Sequence, residues 1–341
     1  MRVLKLSLKI LGGLVALIAV AAGGFYLYLS STWQRRFPEA PLPAIAASAD
    51  SALIARGDYL VHAVAHCAMC HQEFDESLSI GDALKQRASG VGRPLSGGLT
   101  WDIPVLGRFV AANLTSDRET GLGAYSDGEL ARVIRSSVRR DGTVAPFMHL
   151  ATGPMSDRDL TAVVSYLRTL APVRRSLRPE APGFVGKLVV KGLKPREAPP
   201  LTTPPEGGIS VERGEYLAIG PAACYSCHSK ADPMKGFTIV GPRFRGDDHA
   251  EADPTDPSHE FVTPNLTPDP ETGHIYEWDE DGFVERFRGG VAYPGTKMPW
   301  DCYALMSEED LRSIFRYLRS LPPVRHDVGP AWRPAGWKPD R

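Results

Sequence analysis

The chain has 341 residues, with 39 basic and 40 acidic side chains and a formal net charge of −1 at pH 7. This length suits two domains of ordinary size and a terminal anchor, and the balanced charge gives no indication of nucleic-acid binding. The charge is unevenly distributed, however, because residues 50–171 carry −2, residues 172–205 carry +5 and residues 206–328 carry −10. The acidic second half either steers a basic partner protein or only keeps that domain soluble.

The amino terminus has the pattern of a membrane anchor. Basic side chains at positions 2, 5 and 9 precede an uncharged, mostly apolar run from Ile10 to Leu29. This run is close to the roughly twenty residues that an α-helix needs to cross a bilayer, and its basic flank predicts that the amino end stays inside. A cleaved signal peptide is the alternative, with Ala19–Ala21 as its cleavage site. Because the apolar run continues past that site, we favour an uncleaved anchor over residues 1–33, with the remaining chain exported to the periplasm.

The most informative motif is C-x-x-C-H, which occurs at Cys67–His71 and again at Cys224–His228. This pattern is typical of c-type haem attachment, in which both thiols form thioethers and the imidazole becomes the proximal iron ligand. A zinc site would need more Cys or His at tetrahedral spacing, and a redox dithiol does not need the trailing His. The sequence therefore predicts two covalently attached haem c groups. The predicted attachment residues are Cys67, Cys70, His71, Cys224, Cys227 and His228, with His71 and His228 on the metal.

The fifth cysteine, Cys302, has no thiol left to pair with in the chain. We expect it to be a buried small hydrophobe near the second haem pocket.

The two motifs belong to an internal repeat. Matching segments occur in the same order and at similar spacing in both halves, which indicates a domain duplication. The matched pairs are Arg56–Leu60 with Arg213–Leu217, Asn113–Gly121 with Asn265–Gly273, and Met155–Leu160 with Met306–Leu311. We assign residues 50–171 to the first domain and residues 206–328 to the second.

Each repeat is predicted to contain a few helices joined by long irregular segments. The stretch from Ser51 to Ala65 is compatible with a helix that leads into the first motif. A capping box at Ser126 opens a second helix, and Ser156 and Ser307 open the terminal helices, whose apolar residues recur at helical spacing. Prolines after these helices end them. The predicted fold is therefore all-α, with two tandem class I cytochrome c-like domains after the amino-terminal transmembrane helix.

Residues 172–205, between the two repeats, are rich in proline and basic residues. This composition suits an extended linker rather than a packed element. Within it, residues 184–193 are expected to form a short strand or to pack on a domain. The tail after His326 is expected to wrap the surface.

A low-spin electron-transfer haem also needs a sixth ligand, commonly Met or His. Met148 and Met298 occupy equivalent loop positions ahead of the terminal helices and are the leading candidates. Met155 and Met306 also recur, but each precedes a helix-capping Ser, and a buried staple contact explains it. His149 is a rival to Met148, because the second repeat has Pro at that position.

With these residues in view, the chain resembles the membrane-associated multihaem cytochrome c subunits of bacterial alcohol, aldehyde and gluconate dehydrogenases. The resemblance covers both repeats and is most specific in the C-x-x-C-H motifs and the Asn-Leu-Thr segments. It implies that Asn113 and Asn265 lie along the haem edge and that Gly97–Gly98 lies beside the propionates. Those subunits usually carry three haem domains and a Met-Pro ligand motif. This chain has two motifs and keeps Met-Pro only at Met298, so general dihaem electron carriers are the nearer match.

The resemblance and the motifs together predict an electron carrier of the cytoplasmic membrane, single-pass, with its soluble domains in the periplasm. The expected partners are a dehydrogenase subunit as donor and quinone, a terminal oxidase or a soluble cytochrome as acceptor, linking the protein to the respiratory chain. The alternative is a dihaem redox enzyme, of peroxidase or thiosulfate dehydrogenase type, with one reactive haem. Such an enzyme needs an open or displaceable distal position, and the first haem is its expected seat because of His149.

Overall fold

The computed structural model describes residues 2–88, 92–196, 200–201, 207–232 and 238–338. The fold is mixed, with 42% of the described residues helical and 10% in strands. The all-α expectation therefore accounts for the helices and misses short antiparallel sheets. The helices are α1 (Arg2–Thr32), α2 (Ser51–Tyr59) with a following π-helical turn (Leu60–Val64), α3 (Cys67–His71), α4 (Ile80–Ala88), α5 (Asp127–Ser136), α6 (Pro146–Ala151), α7 (Asp157–Thr169), α8 (Phe184–Gly192), α9 (Val211–Ile219), α10 (Cys224–Cys227), α11 (Glu280–Arg288), α12 (Trp300–Tyr303) and α13 (Glu308–Ser320). The strands are β1 (Thr100–Ile103), β2 (Gly107–Val110), β3 (Ala181–Pro182), β4 (Ala231–Asp232), β5 (Thr238–Ile239), β6 (Asp247–Ala252), β7 (His259–Thr263) and β8 (Trp332–Pro334).

Helix α1 projects from the rest of the protein. Its segment Lys5–Thr32 has 28 residues and is long and apolar enough to cross a membrane, and none of its apolar window is buried. A helix of this length rises about 40 Å, which is more than the roughly 30 Å hydrocarbon core of a bilayer. The sequence-based expectation of one amino-terminal apolar helix is confirmed.

Two equivalent helix pairs form the main core, α2 packed on α7 and α9 packed on α13. Gly57 lies where the first pair crosses, and Gly214 lies at the same place in the second. A Cβ atom at Gly57 would overlap the carbonyl oxygen of Ala162, and one at Gly214 would overlap that of Ser313. The repeated R-G-[DE]-Y-L segment thus contains the residue that lets the two helix backbones approach.

The predicted helix caps are present. Ser126 caps α5 with both bonds of a capping box, and Ser156 and Ser307 accept the third backbone N–H of α7 and α13. These caps satisfy amide groups that the first helical turn leaves without partners. Helix α7 ends directly before Leu170 and α13 directly before Leu321, and the predicted prolines follow within two residues of these leucines.

Asp159 and Asp310, three positions after the terminal caps, have the spacing of capping-box residues but form ion pairs. Arg56 forms two bonds to the Asp159 carboxylate, with Nε–Oδ1 at 3.0 Å and Nη2–Oδ2 at 2.9 Å. Arg213 pairs with Asp310 in the second repeat. Because both carboxylates are buried, these ion pairs neutralise charges that would otherwise be costly to bury.

Tyrosines from the opposite repeat complete these two clusters. The Tyr216 hydroxyl of the second repeat donates to Asp159 at 2.6 Å, and the Tyr59 hydroxyl of the first repeat donates to Asp310 at 2.6 Å. The repeats are therefore joined by a reciprocal exchange of hydrogen bonds. The repeated Tyr of R-G-[DE]-Y-L lies at the contact between the two halves.

The segment between the repeats is more ordered than its composition suggests. Part of it pairs with the first repeat, since β3 extends the β1–β2 sheet. Residues Phe184–Gly192 form helix α8 instead of the strand that we considered, and α8 packs beside α1. Residues 197–199 and 202–206 lie outside the described part of the chain.

The carboxyl-terminal tail also contributes to a sheet. Strand β8 pairs with β7, with Phe261 opposite Trp332. Residues Trp332–Pro334 thus pack against the second repeat. This agrees with a tail that covers the surface and adds a regular pairing that the sequence did not indicate.

Candidate haem-binding sites

The two C-x-x-C-H motifs have the same backbone conformation. Each begins after a residue in the left-handed region, His66 with φ 43° and Ala223 with φ 50°. The chain then forms a single helical turn, in which the Met69 N–H bonds the His66 carbonyl at 3.0 Å and the Ser226 N–H bonds the Ala223 carbonyl at 2.9 Å. Left-handed backbone is uncommon for residues other than glycine. Its presence at the same place in both copies shows that the entry into each motif is equivalent.

None of the four motif cysteines forms a disulfide with another described residue. Burial raises the pKa of Cys67, Cys70 and Cys224 to about 12, and it also raises the pKa of Cys227. Reactive dithiols and thiolate metal ligands occupy environments that lower the pKa. The raised pKa values do not favour a redox dithiol. Cys67, Cys70 and Cys224 are half-buried and Cys227 is exposed, which suits attachment to the edge of a porphyrin.

The imidazoles of the motifs are oriented by backbone carbonyls. Nδ1 of His71 lies 2.8 Å from the Ala112 oxygen, and Nδ1 of His228 lies 3.2 Å from the Pro264 oxygen. A carbonyl can only accept, so each Nδ1 carries the hydrogen and each Nε2 keeps its lone pair. Burial lowers the pKa of His71, and it lowers that of His228 to about 4, so both rings are neutral at pH 7. A neutral ring with Nδ1 fixed by a carbonyl is the arrangement that metal-ligating histidines generally show.

A glycine loop forms a hydrogen bond with the backbone of each motif histidine. The Gly97 N–H bonds the His71 carbonyl at 2.8 Å, and the Gly246 N–H bonds the His228 carbonyl at 3.0 Å. Both glycines have positive φ, 76° and 79°, and a Cβ atom on either would collide with a neighbouring backbone carbonyl. Only glycine fits these positions without strain. The sequence pointed to Gly97 but not to its counterpart Gly246.

The Asn-Leu-Thr segments hold in place the Ala112 and Pro264 carbonyls that orient the motif histidines. Asn113 and Asn265 directly follow the two carbonyl residues that orient the histidines, and both are buried. Their side-chain amides donate to the Val173 and Val324 oxygens at 2.8 Å each. Each Asn therefore ties the histidine-orienting backbone to the chain that follows a terminal helix. The resemblance implied that Asn113 and Asn265 lie along the haem edge. The observed contacts show that each one supports the backbone segment whose carbonyl orients the motif histidine.

Met298 lies on a well-supported loop at the edge of the main core. Its N–H bonds the Thr296 hydroxyl at 3.2 Å, and its carbonyl accepts from the Trp300 N–H at 2.9 Å, which starts α12. The guanidinium of Arg286 stacks on the Trp300 ring at 3.7 Å. The half-buried thioether is thus carried by a loop whose backbone is fixed on both sides.

Met148 lies in short helix α6 rather than in a loop. Arg196 braces this region, because its guanidinium donates to the Thr152 carbonyl and to the carbonyls of Ile134 and Arg135 at the end of α5. Burial lowers the pKa of Arg196 to about 10. The arginine belongs to the segment between the repeats, so its support of a candidate ligand could not be predicted from the sequence.

His149 follows Met148 on α6. Its Nδ1 atom is buried and has no hydrogen-bond partner among the described residues. Burial, with a smaller contribution from the positive charge of Arg196, lowers the pKa of this imidazole. Buried polar atoms without partners are rare in folded proteins and require an explanation.

Met155 and Met306 are buried directly before the capping serines of α7 and α13, with 4% and 1% of their surface exposed. Both belong to the main apolar core. This is the packing role that the sequence suggested for them.

Helix α12 joins the two motif regions. It follows Met298 in the second repeat, and it packs against α3 and the π-helical turn of the first. The Tyr303 hydroxyl donates to the Ala222 carbonyl at 2.7 Å, and its ring meets the His66 imidazole edge-on with centroids 5.6 Å apart. His66 directly precedes the first motif, and Ala222 lies two residues before the second. Tyr303 therefore bridges the residues that lead into the two predicted attachment sites.

A buried ion pair lies at the same junction. Arg87 is fully buried, lies 3.5 Å from the Asp301 carboxylate and donates to the Thr296 carbonyl at 3.0 Å. The neighbouring Cys302 is also fully buried, as predicted. Burial raises its pKa far above the usual value, with Asp301 and the thiols of the first motif as further contributors. Cys302 thus borders the first motif as well as the loop of Met298.

The comparisons with known proteins agree with the resemblance. The chain is 29% identical over 300 residues, 82% of its length, to "Alcohol dehydrogenase (quinone), cytochrome c subunit" of Gluconobacter oxydans, of which this covers 57%. It is 26% identical over 314 residues to "Fructose dehydrogenase cytochrome subunit" of Gluconobacter japonicus, covering 87% of the chain and 57% of the relative. It is 28% identical over 276 residues to "Diheme cytochrome c-type" of Cereibacter sphaeroides, covering 76% and 82%.

The homologues are thus cytochrome c subunits of alcohol, gluconate and fructose dehydrogenases and a dihaem cytochrome c, at modest identity over most of the chain. The chain spans 57% and 58% of the length of the first relatives that it matches. No protein-family model matches it.

Proposed function

We propose that this protein is a membrane-anchored dihaem c-type cytochrome that transfers electrons on the periplasmic face, between a dehydrogenase and the respiratory chain. The observation that carries the proposal is the matched orientation of the motif histidines. Nδ1 of each ring is held by a backbone carbonyl, at 2.8 Å for His71 and 3.2 Å for His228, so that each Nε2 is available to iron.

The residues present suit covalently attached haem c at both sites. Cys67 with Cys70 and Cys224 with Cys227 would form the thioethers, and the neutral imidazoles would be proximal ligands. The bound haems would supply one-electron oxidation and reduction, and the protein would set their environment and spacing. The glycine loops and the Asn-Leu-Thr segments would keep each imidazole in a fixed orientation while oxidation and reduction change the charge of the site.

The repeated contacts support two tandem class I cytochrome c-like domains, over residues 50–171 and 206–328. Each would contain the same crossing helix pair, buried Arg–Asp ion pair, glycine loop and Asn-Leu-Thr segment. We assign the sixth positions to Met148 and Met298. Met298 has the stronger support, because its loop is fixed on both sides and Pro299 follows it as in the related subunits.

The partner is inferred from the relatives. Five of them carry names of cytochrome subunits of alcohol, gluconate or fructose dehydrogenases. We therefore propose a dehydrogenase subunit as electron donor and quinone, a terminal oxidase or a soluble cytochrome as acceptor. The charge of −10 over residues 206–328 would steer a basic partner to the second domain. Helix α1 would anchor the protein in the cytoplasmic membrane as a single pass.

The central test uses the full chain matured with haem in the bacterial periplasm. We expect two haem c groups per chain by pyridine haemochrome analysis, both six-coordinate and low-spin, and no rapid binding of carbon monoxide by the reduced protein. His71→Ala and His228→Ala should each change the spectrum of one haem and leave the other intact. A single haem per chain, or unchanged spectra in both variants, would contradict the assignment.

A second candidate function is a dihaem redox enzyme of peroxidase or thiosulfate dehydrogenase type, with its reactive haem in the first domain. The observation that favours it is the buried Nδ1 of His149, which lacks a partner among the described residues. Prompt binding of carbon monoxide at one haem would support this enzyme and count against a pure carrier. If His149→Pro, which copies the second domain, abolishes that binding, the reactive site is located at Met148–His149.

A further inference from the structure

We propose that helix α8 and the tip of the β1–β2 hairpin form a second membrane contact, which lies in the interfacial layer of the bilayer that α1 enters. The occupant of this surface is a lipid bilayer containing anionic headgroups. The inference rests on the proposed anchoring by α1 and extends it. It assigns a role to α8, which the proposed haem sites leave without one.

Helix α8 is held at the carboxyl-terminal end of the apolar helix. The Phe184 ring packs edge-on against Phe25 with centroids 6.1 Å apart and stacks on Tyr26 at 6.4 Å. Lys187 Nζ donates to the Ser30 hydroxyl at 3.2 Å, and Lys191 Nζ donates to the Thr32 carbonyl at 3.0 Å. Since the span Lys5–Thr32 ends here, α8 lies at the depth where α1 leaves the hydrocarbon.

Helix α8 exposes an apolar face while its opposite face is packed. Gly186 and Val190 are buried, and a Cβ at Gly186 would overlap the Leu106 carbonyl of the hairpin. The other face exposes four large apolar side chains at between 37% and 43% of their surface. These are Phe184, Val185, Leu188 and Val189. Their spacing places them along one side of the helix, and a contiguous exposed apolar set marks an interaction surface.

The hairpin tip extends this surface. Val105 has 72% of its surface exposed, and its carbonyl lies 3.0 Å from where a Cβ on Gly183 would be. It therefore adjoins the start of α8. Its φ of 69° is rarely adopted by a β-branched residue. An exposed valine beside an exposed apolar helix extends the apolar surface that α8 presents.

The charges around α8 match a bilayer surface. Residues 183–195, which contain α8, carry three lysines and no acidic residue. Lys187 and Lys191 also cover the rings of Tyr26 and Tyr28, at 5.7 Å and 4.6 Å from the ring centroids. Tyrosine and lysine at the end of an apolar helix are typical of the headgroup layer, and basic groups there are attracted to anionic lipids. An apolar face with lysines beside it is the pattern of an interfacial helix.

Spin labels on single introduced cysteines test this placement in the haem-loaded full chain. Thioether formation would consume the four motif thiols, and the buried Cys302 is inaccessible to reagent. The labelled positions are Leu188→Cys on α8, Leu17→Cys in the middle of α1 and Leu305→Cys on the second domain, whose native leucines are all exposed. The protein is placed in nanodiscs of phosphatidylcholine and phosphatidylglycerol. Power saturation then compares the accessibility of each label to oxygen and to a water-soluble nickel chelate.

We expect the logarithm of the oxygen-to-nickel ratio to be positive at Leu17 and Leu188 and negative at Leu305. A negative value at Leu188 with a positive value at Leu17 would overturn the second contact and leave the anchor in place. Negative values at both would refute the anchor itself. A Leu188 label shielded from both reagents would indicate a protein partner or second copy on α8 and would also overturn the proposal. Val189→Cys repeats the measurement at a neighbouring position, and the haem spectrum verifies that each variant is folded.

Discussion

The reciprocal tyrosine bonds between the two repeats make a quantitative prediction. Tyr59 donates to Asp310 at 2.6 Å and accepts from the Ser307 N–H at 2.9 Å. Tyr216 does the same with Asp159 at 2.6 Å and the Ser156 N–H at 3.3 Å. Each hydroxyl thus serves as donor to a buried carboxylate of the other repeat and as acceptor for an amide beside it.

Replacing Tyr59 by Phe keeps the ring and removes only the hydroxyl. The loss of a hydrogen bond to a charged group costs about 1.5–3 kcal/mol. The remaining Arg213 contact keeps the carboxylate of Asp310 paired, so the cost should not reach the roughly 3–5 kcal/mol of a broken buried ion pair. We expect Tyr59→Phe and Tyr216→Phe each to lower the free energy of unfolding by about 2 kcal/mol.

Denaturant unfolding of the haem-loaded protein, followed by haem absorbance and by far-ultraviolet circular dichroism, measures these changes. Because the bonds join two repeats, the double variant should also separate the unfolding of the repeats into two transitions. Tyr166→Phe is the matched control, since its hydroxyl bonds His62 at 2.9 Å within the first repeat. If Tyr59→Phe and Tyr216→Phe change stability no more than a surface substitution, or if the double variant still unfolds in one transition, the reciprocal bonds do not hold the repeats together.

Four further outcomes are expected. Met298→Ala should lower the potential of one haem or make it high-spin while covalent haem is retained, and an unchanged spectrum and potential would refute the ligand assignment. Gly214→Ala should destabilise the protein, because its Cβ would overlap the Ser313 carbonyl, whereas Gly192→Ala, with open space around it, should be neutral or slightly stabilising in thermal unfolding. Burial, and then the nearby carboxylates, raise the pKa of Tyr59 and Tyr216 above the ordinary value of 10.0. The contribution of the two tyrosines to the free energy of unfolding should therefore be complete below pH 10 and decline as the pH rises above it. The double Phe variant should lose this decline. Tyr303→Phe should slow electron exchange between the two haem sites in pulse radiolysis while Tyr166→Phe leaves it unchanged, and equal rates in both variants would exclude Tyr303 as the bridge.

Much of the candidate site could be predicted from the sequence, because its chemistry depends on neighbouring residues. The C-x-x-C-H motif places two thiols and an imidazole on one helical turn, so its meaning survives without knowledge of the fold. The repeat of R-G-[DE]-Y-L and Asn-Leu-Thr likewise marked residues with shared roles. The capping serines at 126, 156 and 307 were predictable because a cap acts on amides two or three residues away.

Contacts between distant segments could not be read in this way. Asp159 has the spacing of a capping-box residue, yet its carboxylate pairs with Arg56 and accepts from Tyr216 of the other repeat. Gly246 has no glycine pair to mark it, although its positive φ and its bond to His228 match those of Gly97. The extended linker expected from proline and basic residues contains α8, because α1 offers that segment an aromatic and hydroxyl-bearing surface to pack on.

The sequence by itself predicted the attachment chemistry, the duplication and the anchor, and it determined the apolar amino-terminal helix and the helix caps, since each is a local pattern of residue types. Only the tertiary structure decided which carbonyl orients each histidine, how the repeats exchange tyrosine hydroxyls, and that α12 of one repeat packs on the motif of the other. The physical reason is that hydrogen bonds and close packing depend on positions in space. Segments more than a hundred residues apart, such as those of Tyr59 and Asp310, meet only when the whole chain has folded.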